Sequence, residues 1–313
     1  MTAYVRSLSM MEKIKYVLEM TKPPQLALLA FTSYAAYFAA GGPLSPLRLG
    51  LLAVVAVGAI GGITALNMVL EADIDSMMDR TKTRPLPAHK LSLKEALAGS
   101  LALTAIGMYA AALLNFYVLL STILAFIFDI PVYTVLLKRR SPLNIIFGGV
   151  AGVMQVLGGW AAAAGSYSVA SLLLAIAVLS WIPMHIWFIV YYYLDDYVKA
   201  KVPMYPVVAS PEKVSRAVIG FLLAMLASMW LYWAFTAKGF VGDLLLTALV
   251  AVAISKVAKF PRSPTREAAR SIFIFANPTL VVAFLLAPIA FPHVYTPMAW
   301  LGYVSLSRLL TFS

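Results

Sequence analysis

Asn67, Glu71 and Asp75 are spaced four residues apart. On a helix that spacing makes one stripe drifting by about 40° per step, so three oxygen-bearing side chains face the same way. Like charges one turn apart repel, and a divalent cation between them removes the cost. Mg²⁺ is commonly held by one or two carboxylates together with phosphate oxygens and water. A second acidic pair, Asp195-Asp196, occurs far along the chain. Basic residues follow both groups: Arg80, Lys82 and Arg84 after the first, Lys199 and Lys201 after the second. Mg²⁺ takes some diphosphate oxygens and arginine forks take others, so this pairing of acids with bases suits a diphosphate.

The elements that must position these groups are apolar. The chain has 313 residues, is 62% hydrophobic and only 12% charged, against about 25% charged in soluble domains. A soluble enzyme, a disordered protein and a nucleic-acid-binding domain are therefore poor readings. Cysteine is absent, which excludes disulfides, thiolate zinc sites and cysteine nucleophiles. Apolar runs of about 20 residues predict nine transmembrane helices, near 25–41, 49–70, 96–114, 116–137, 143–164, 169–193, 217–236, 241–257 and 271–290. The runs are continuous, which excludes the alternating strands of a barrel. The fold expected is an all-α integral membrane protein, one polytopic domain over residues 1–313 with the helices around a central cavity.

Charge sets the orientation. With the N-terminus cytoplasmic, 21 of the 24 basic residues lie on the cytoplasmic side, leaving Arg48, Lys238 and Arg308 outside. Of the 13 acidic residues, 11 lie on that same side; Asp129 and Asp243 do not. Residues 1–24 read as a cytoplasmic surface segment leading into Pro23-Pro24, not as a cleaved signal. Segments 71–95 and 194–216 read as cytoplasmic active-site loops, and 297–313 as an interfacial helix. Gly58-x-x-x-Gly62 and Gly148-x-x-x-Gly152 are spacings that let helices approach closely.

Two acidic helix ends would thus face each other across a cavity, each binding Mg²⁺, with apolar helices below making a groove for a hydrocarbon chain. That arrangement suits ionisation of an allylic diphosphate: Mg²⁺ and basic side chains stabilise the leaving group, and the carbocation reacts with a π-system away from water.

The sequence resembles the UbiA superfamily of intramembrane prenyltransferases, and within it the branch that farnesylates haem. The resemblance rests on Asn67-Met-Val-Leu-Glu-Ala-Asp-Ile-Asp75 with Arg80-Thr-Lys-Thr-Arg-Pro-Leu-Pro87, on Tyr133-Thr-Val-Leu-Leu-Lys-Arg-Arg-Ser-Pro-Leu-Asn144, and on Trp181-Ile-Pro-Met-His-Ile-Trp187 with Asp195-Asp-Tyr-Val-Lys-Ala-Lys-Val-Pro-Met-Tyr-Pro206. It implies Mg²⁺ dependence, cytoplasmic-side chemistry in the cell membrane, and transfer of a farnesyl group from farnesyl diphosphate to the vinyl group of haem b, water then giving haem O. Two departures stand out. Glu71 occupies a position where the superfamily usually has Asp, and the second motif lacks its acid four residues on, Lys199 and Ala200 standing there. The haem branch shares that second departure. Whether Asp195 or Asp196 is the metal ligand stays open.

The candidate site therefore comprises Asn67, Glu71, Asp75 and Asp196 as its catalytic core, with Asp195 as a further metal ligand. Arg80, Lys82, Arg84, Lys138, Arg139, Asn144, Asp195, Tyr197 and Lys201 are expected on the substrates. His185, about 15 Å deeper than Asp195 on a helix, is a candidate for the porphyrin side. Trp160, Trp181 and Trp187 are candidates to line the groove. Asp129, an intramembrane carboxylate, is a functional candidate of open role. Quinone-precursor, chlorophyll-type and archaeal-lipid acceptors are the nearest alternatives. An ion-coupled transporter is the alternative of another class, and it would place its acids at the membrane midplane.

Overall fold

The structure, a computed structural model, describes residues 9–236 and 240–289. Among these residues all regular structure is helical. In chain order the helices are α1 (Met10–Met20), α2 (Pro23–Ala39), α3 (Pro46–Leu70), α4 (Ala72–Met77), α5 (Leu93–Leu114), α6 (Phe116–Leu137), α7 (Asn144–Ala164), α8 (Val169–Tyr192), α9 (Leu194–Lys199), α10 (Tyr205–Val208), α11 (Pro211–Thr236), α12 (Phe240–Lys259) and α13 (Arg266–Leu286). Eight helices among the described residues are long and apolar enough to cross a membrane. Each falls on an expected span from 49–70 onward. At the first expected span, 25–41, stands α2, whose 17 residues measure about 26 Å against a hydrocarbon core of about 30 Å. The interfacial helix expected at 297–313 lies outside the described residues, as do the first eight residues.

Local sequence explains where the helices start. Ser9 with Glu12, and Ser92 with Glu95, form reciprocal capping boxes at α1 and α5. Asn115 accepts the Val118 N–H and separates α5 from α6 with a fully extended residue. Pro23-Pro24, Pro46 and Pro211 occupy first turns, where a missing N–H costs nothing.

The helices make a ring in which sequence neighbours pack together, and α13 returns to touch α2. Outward-facing Leu101, Tyr109, Leu113 and Phe116 leave an apolar belt, while Trp160, Trp187 and Phe188 are fully buried. The expected close approaches are internal. A Cβ on Gly58 would sit 2.7 Å from the Gly107 backbone, and one on Gly62 would sit 2.5 Å from Thr104, so α3 presses directly on α5. A Cβ on Gly148 would meet the Tyr133 ring at 2.7 Å. These contacts press α3 onto α5 and α6 onto α7, and α3 and α6 are the helices that lead into the first acids and into Lys138.

Two stretches depart from α geometry. Val55–Ile60 and Phe128–Leu137 are π-helical, and the second contains Pro131. The wider turn shifts every later side chain around the axis, which changes what the end of α6 presents inward.

Candidate active site

A cavity of about 580 Å³ opens at the end of the ring where α3, α6 and α8 finish. Its lining comes from α2, α3, α4, α6, α7, α8 and α13. Polar groups crowd its mouth: Lys22, Asn67, Glu71, Asp75, Arg80, Arg84, Tyr133, Lys138 and Tyr197. Below them the wall turns apolar with Leu28, Leu29, Ile63, Ala125, Ile145 and Ile182. Gln155, Trp181, His185, Phe273 and Asn277 also line it.

The stripe survives an unexpected break. The helix expected to run through Asn67, Glu71 and Asp75 ends at Leu70, and Glu71 takes φ −109° and ψ 11° before α4 begins. The backbone bonds Glu71 N–H to Asn67 C=O and Asp75 N–H to Glu71 C=O still form, at 3.0 and 2.9 Å. All three side chains are buried and line the cavity.

Each carboxylate of the stripe has a cation. Arg84 Nη1 donates to both oxygens of Asp75 at 2.8 Å. Lys138, at the end of α6, is ion-paired with Glu71. Asn67 Nδ2 donates to the other Glu71 oxygen at 2.9 Å. The mutual repulsion of the stripe is thus relieved by bases from elements far away in sequence. Asp73 points elsewhere, onto exposed Arg139, whose guanidinium hydrogen bonds hold the Asp73 carboxyl below the usual carboxylate range.

The second acidic pair splits. Asp196 is buried and its two oxygens accept the backbone N–H groups of Asp79 and Arg80, at 3.0 and 3.1 Å. The segment after the first acids is thereby bound to the segment after α8. Neither expected ligand of this pair lines the cavity: Asp196 is turned into the loop it binds, and its neighbour Asp195 is exposed and paired with Arg266. Consecutive helical residues point about 100° apart, so one acid is buried against the loop while the other reaches the surface. Tyr197 does reach the cavity and its hydroxyl accepts from Arg80 at 3.4 Å.

Four other expected substrate residues stand outside the lining. Lys82 is exposed and paired with Asp79. Arg139 is held by Asp73. Lys201 is exposed, with φ 53°. Asn144 is buried and its Nδ2 donates to the Lys138 C=O at 3.4 Å, fastening the end of α6. Of the three tryptophans, Trp181 lines the cavity, whereas Trp160 and Trp187 are core. His185 faces the cavity stacked on Trp181, ring centroids 4.5 Å apart, with Phe273 at 4.7 Å on α13.

Lys22 was counted in the sequence only as a cytoplasmic base, yet it lines the mouth. Its left-handed φ of 53°, just before Pro23, turns the chain into α2. Burial, and then the Arg84 charge, pull its ammonium down to about 8. The available signal was a lysine directly before a Pro-Pro start.

Among the described residues no three His, Asp or Glu converge as a ready-made metal cage. The donor set is two carboxylates and an amide beside four cations. It fits a hard cation that arrives with, and is completed by, an anionic substrate.

Residues 28–279 match the UbiA prenyltransferase family. A protoheme IX farnesyltransferase from Aeropyrum pernix is 45% identical over 94% of this chain and 97% of its own. A solved UbiA homologue from Archaeoglobus fulgidus bound to GPP and Mg²⁺ superposes with a TM-score of 0.59 over 88% of this chain and all of its own, at 16% identity. A structure concerned with digeranylgeranylglyceryl phosphate synthase reaches 0.71 over 89% and 98%, at 18% identity. Those two likenesses concern the fold; the sequence matches, over most of the chain's length, place it in a family. This multi-pass membrane protein belongs to the UbiA prenyltransferases.

Proposed function

We propose that this enzyme transfers a farnesyl group from farnesyl diphosphate to a vinyl group of haem b, giving haem O, with Mg²⁺ as cofactor and its site at the cytoplasmic face of the cell membrane. One observation carries the reading: the acid stripe, the Asp196-bound loop and four cations meet at the mouth of a cavity that is otherwise greasy. The likeness to the Aeropyrum pernix protoheme IX farnesyltransferase supports the choice of acceptor. The concentration of basic residues at the acid-bearing end supports the orientation.

Asn67, Glu71 and Asp75 would hold the metal, which supplies charge neutralisation for the departing diphosphate, while Asp196 would hold the loop that carries Arg80 and Arg84 beside it. Lys22, Arg80, Arg84 and Lys138 add hydrogen bonds to its oxygens. Leu28, Leu29, Ile63 and Ile182 take the hydrocarbon chain and exclude water from the reacting carbon. The C1–O bond breaks with its electron pair going to the diphosphate. The vinyl π-bond then closes on C1, and water captures the resulting cation with loss of a proton. Trp181, His185 and Phe273 offer an aromatic face to the porphyrin. Asp129, also in the lining, stands below the metal stripe.

Membranes containing the protein, given labelled farnesyl diphosphate and either haem b or 4-hydroxybenzoate, should label a haem product alone. Label in the benzoate product would overturn the acceptor; label in neither, with ion flux present, would favour a transporter. Replacing His185 by Ala should weaken haem b binding about tenfold through the lost ring contacts while leaving diphosphate affinity unchanged. The reverse pattern, read by titration of each ligand, would remove His185 from the acceptor side.

The Lys22 value gives a pH dependence. Its ammonium is charged below about pH 8 and loses its proton above it. A neighbouring diphosphate favours the charged form, so binding above pH 8 requires proton uptake. Affinity for farnesyl thiodiphosphate should therefore fall from about pH 8 upward, by as much as about tenfold per unit, and Lys22→Arg should flatten the fall. A flat wild-type profile would count against Lys22 as a phosphate ligand.

A further inference from the structure

Thr134 is not itself in the cavity lining and bonds no carboxylate, yet it is hydrogen-bonded to Asn67, which does line the cavity. It lies in the π-helical part of α6, where bonds run back five residues, as in Lys138 N–H to Tyr133 C=O at 2.8 Å. The Thr134 hydroxyl follows the same wide turn and donates to the Asp129 C=O at 2.7 Å. A hydroxyl has one hydrogen, so toward every other neighbour Oγ1 can only accept.

That neighbour is Asn67. Its Nδ2 donates to Thr134 Oγ1 at 2.7 Å and to Glu71 Oε1 at 2.9 Å. Both hydrogens of the amide are thereby used. Both partners are obligate acceptors, one because it is a carboxylate and the other because its proton is committed to Asp129. An asparagine amide turned the other way would set its carbonyl oxygen against two oxygens. The NH₂ group must face Thr134 and Glu71, and Oδ1 must face away from them. Asn67 is otherwise buried and lines the cavity, so Oδ1 is its free acceptor there.

We infer that Thr134 is a positioning residue: through the Asp129–Thr134–Asn67 chain it keeps the Asn67 carbonyl oxygen, not its NH₂, turned to the cation that accompanies the diphosphate. The inference rests on the metal–diphosphate reading above. The chain explains why a π-helical stretch is placed here. An α-helical turn would bring the hydroxyl to a carbonyl three or four residues back and rotate Oγ1 away from the direction that meets Asn67. Outer partners of this kind typically change metal affinity by about 10- to 100-fold.

The test uses the full-length protein in detergent and the unreactive farnesyl thiodiphosphate, titrated calorimetrically at stepped Mg²⁺. Thr134→Val keeps the shape and removes the hydroxyl, whereas Thr134→Ser keeps the hydroxyl. Val should weaken binding of the Mg²⁺ complex about tenfold and raise the Mg²⁺ needed for half-saturation. Ser should stay within about twofold of wild type, with unfolding midpoints measured without Mg²⁺ alike in both. If Val folds poorly, Thr134→Ala should show the same weakening. Val and Ala binding like wild type, or Ser weakening binding as much as they do, would overturn the inference alone. Wild-type protein that fails to bind the complex would overturn the metal–diphosphate reading, and this inference with it.

Discussion

Asp75→Asn is expected to lower kcat/KM by about 10³-fold or more in protein that still folds. Asp75 is almost fully buried, and both its oxygens accept from Arg84. Its backbone carbonyl accepts the Thr81 hydroxyl at 2.9 Å, so the local turn does not depend on the side chain. The substitution therefore acts on charge more than on structure. It removes one of two negative charges in the stripe and leaves Arg84 without its partner. Losing a single preorganised polar group that stabilises developing charge typically costs about 10²–10³ in rate, and a group that also organises a cation and a guanidinium should lie at or above that range. Arg84 keeps partial access to solvent, so its unpaired charge should not unfold the protein. Activity in membranes, with circular dichroism and thermal unfolding in detergent, separates the two effects. Turnover within tenfold of wild type would remove Asp75 from the metal stripe.

What sequence spacing could and could not reveal follows from the same residues. The spans from 49–70 onward, the acid stripe and the concentration of charge at one end were all readable, because each is a local pattern: hydrophobic run length, a four-residue repeat, a count of bases. The interruption at Glu71 was not, since an ideal helical wheel has no term for a bend that keeps its hydrogen bonds. Nor could spacing say how the stripe is neutralised. The nearest bases in sequence, Arg80 and Lys82, do not do it: Glu71 pairs with Lys138, 67 residues away, and only Arg84 of that loop reaches Asp75. The π-helical turns of α6 rotate Lys138 inward and leave Arg139 on the outside with Asp73. Lys22 joins the site through a left-handed residue and two prolines, a backbone reversal that no periodicity encodes.

Asp196→Asn should cost about 10²-fold in kcat/KM, whereas Asp195→Asn should stay within about twofold, and the contrast decides which of the adjacent acids serves the site. Asp195 is exposed and its one partner is Arg266 at the surface, a pairing worth about 0–1 kcal/mol. Asp196 works differently. Its two oxygens accept the N–H groups of consecutive residues, Asp79 and Arg80. An asparagine supplies one carbonyl oxygen and turns an NH₂ against the other N–H, so one donor must go unpaired. The segment so released carries Arg80, which also lies over the Tyr193 ring at 5.1 Å, and Arg84, which holds Asp75. One substitution would then loosen two of the bases and, through Arg84, the seating of Asp75. Amide exchange distinguishes these consequences: the Asp79 and Arg80 amides should exchange faster in Asp196→Asn and not in Asp195→Asn. Lost activity with unchanged exchange would make Asp196 purely a ligand. Faster exchange with full activity would make it purely a fastening for the loop. Equal effects of the two substitutions would mean that the split seen between them has no bearing on catalysis.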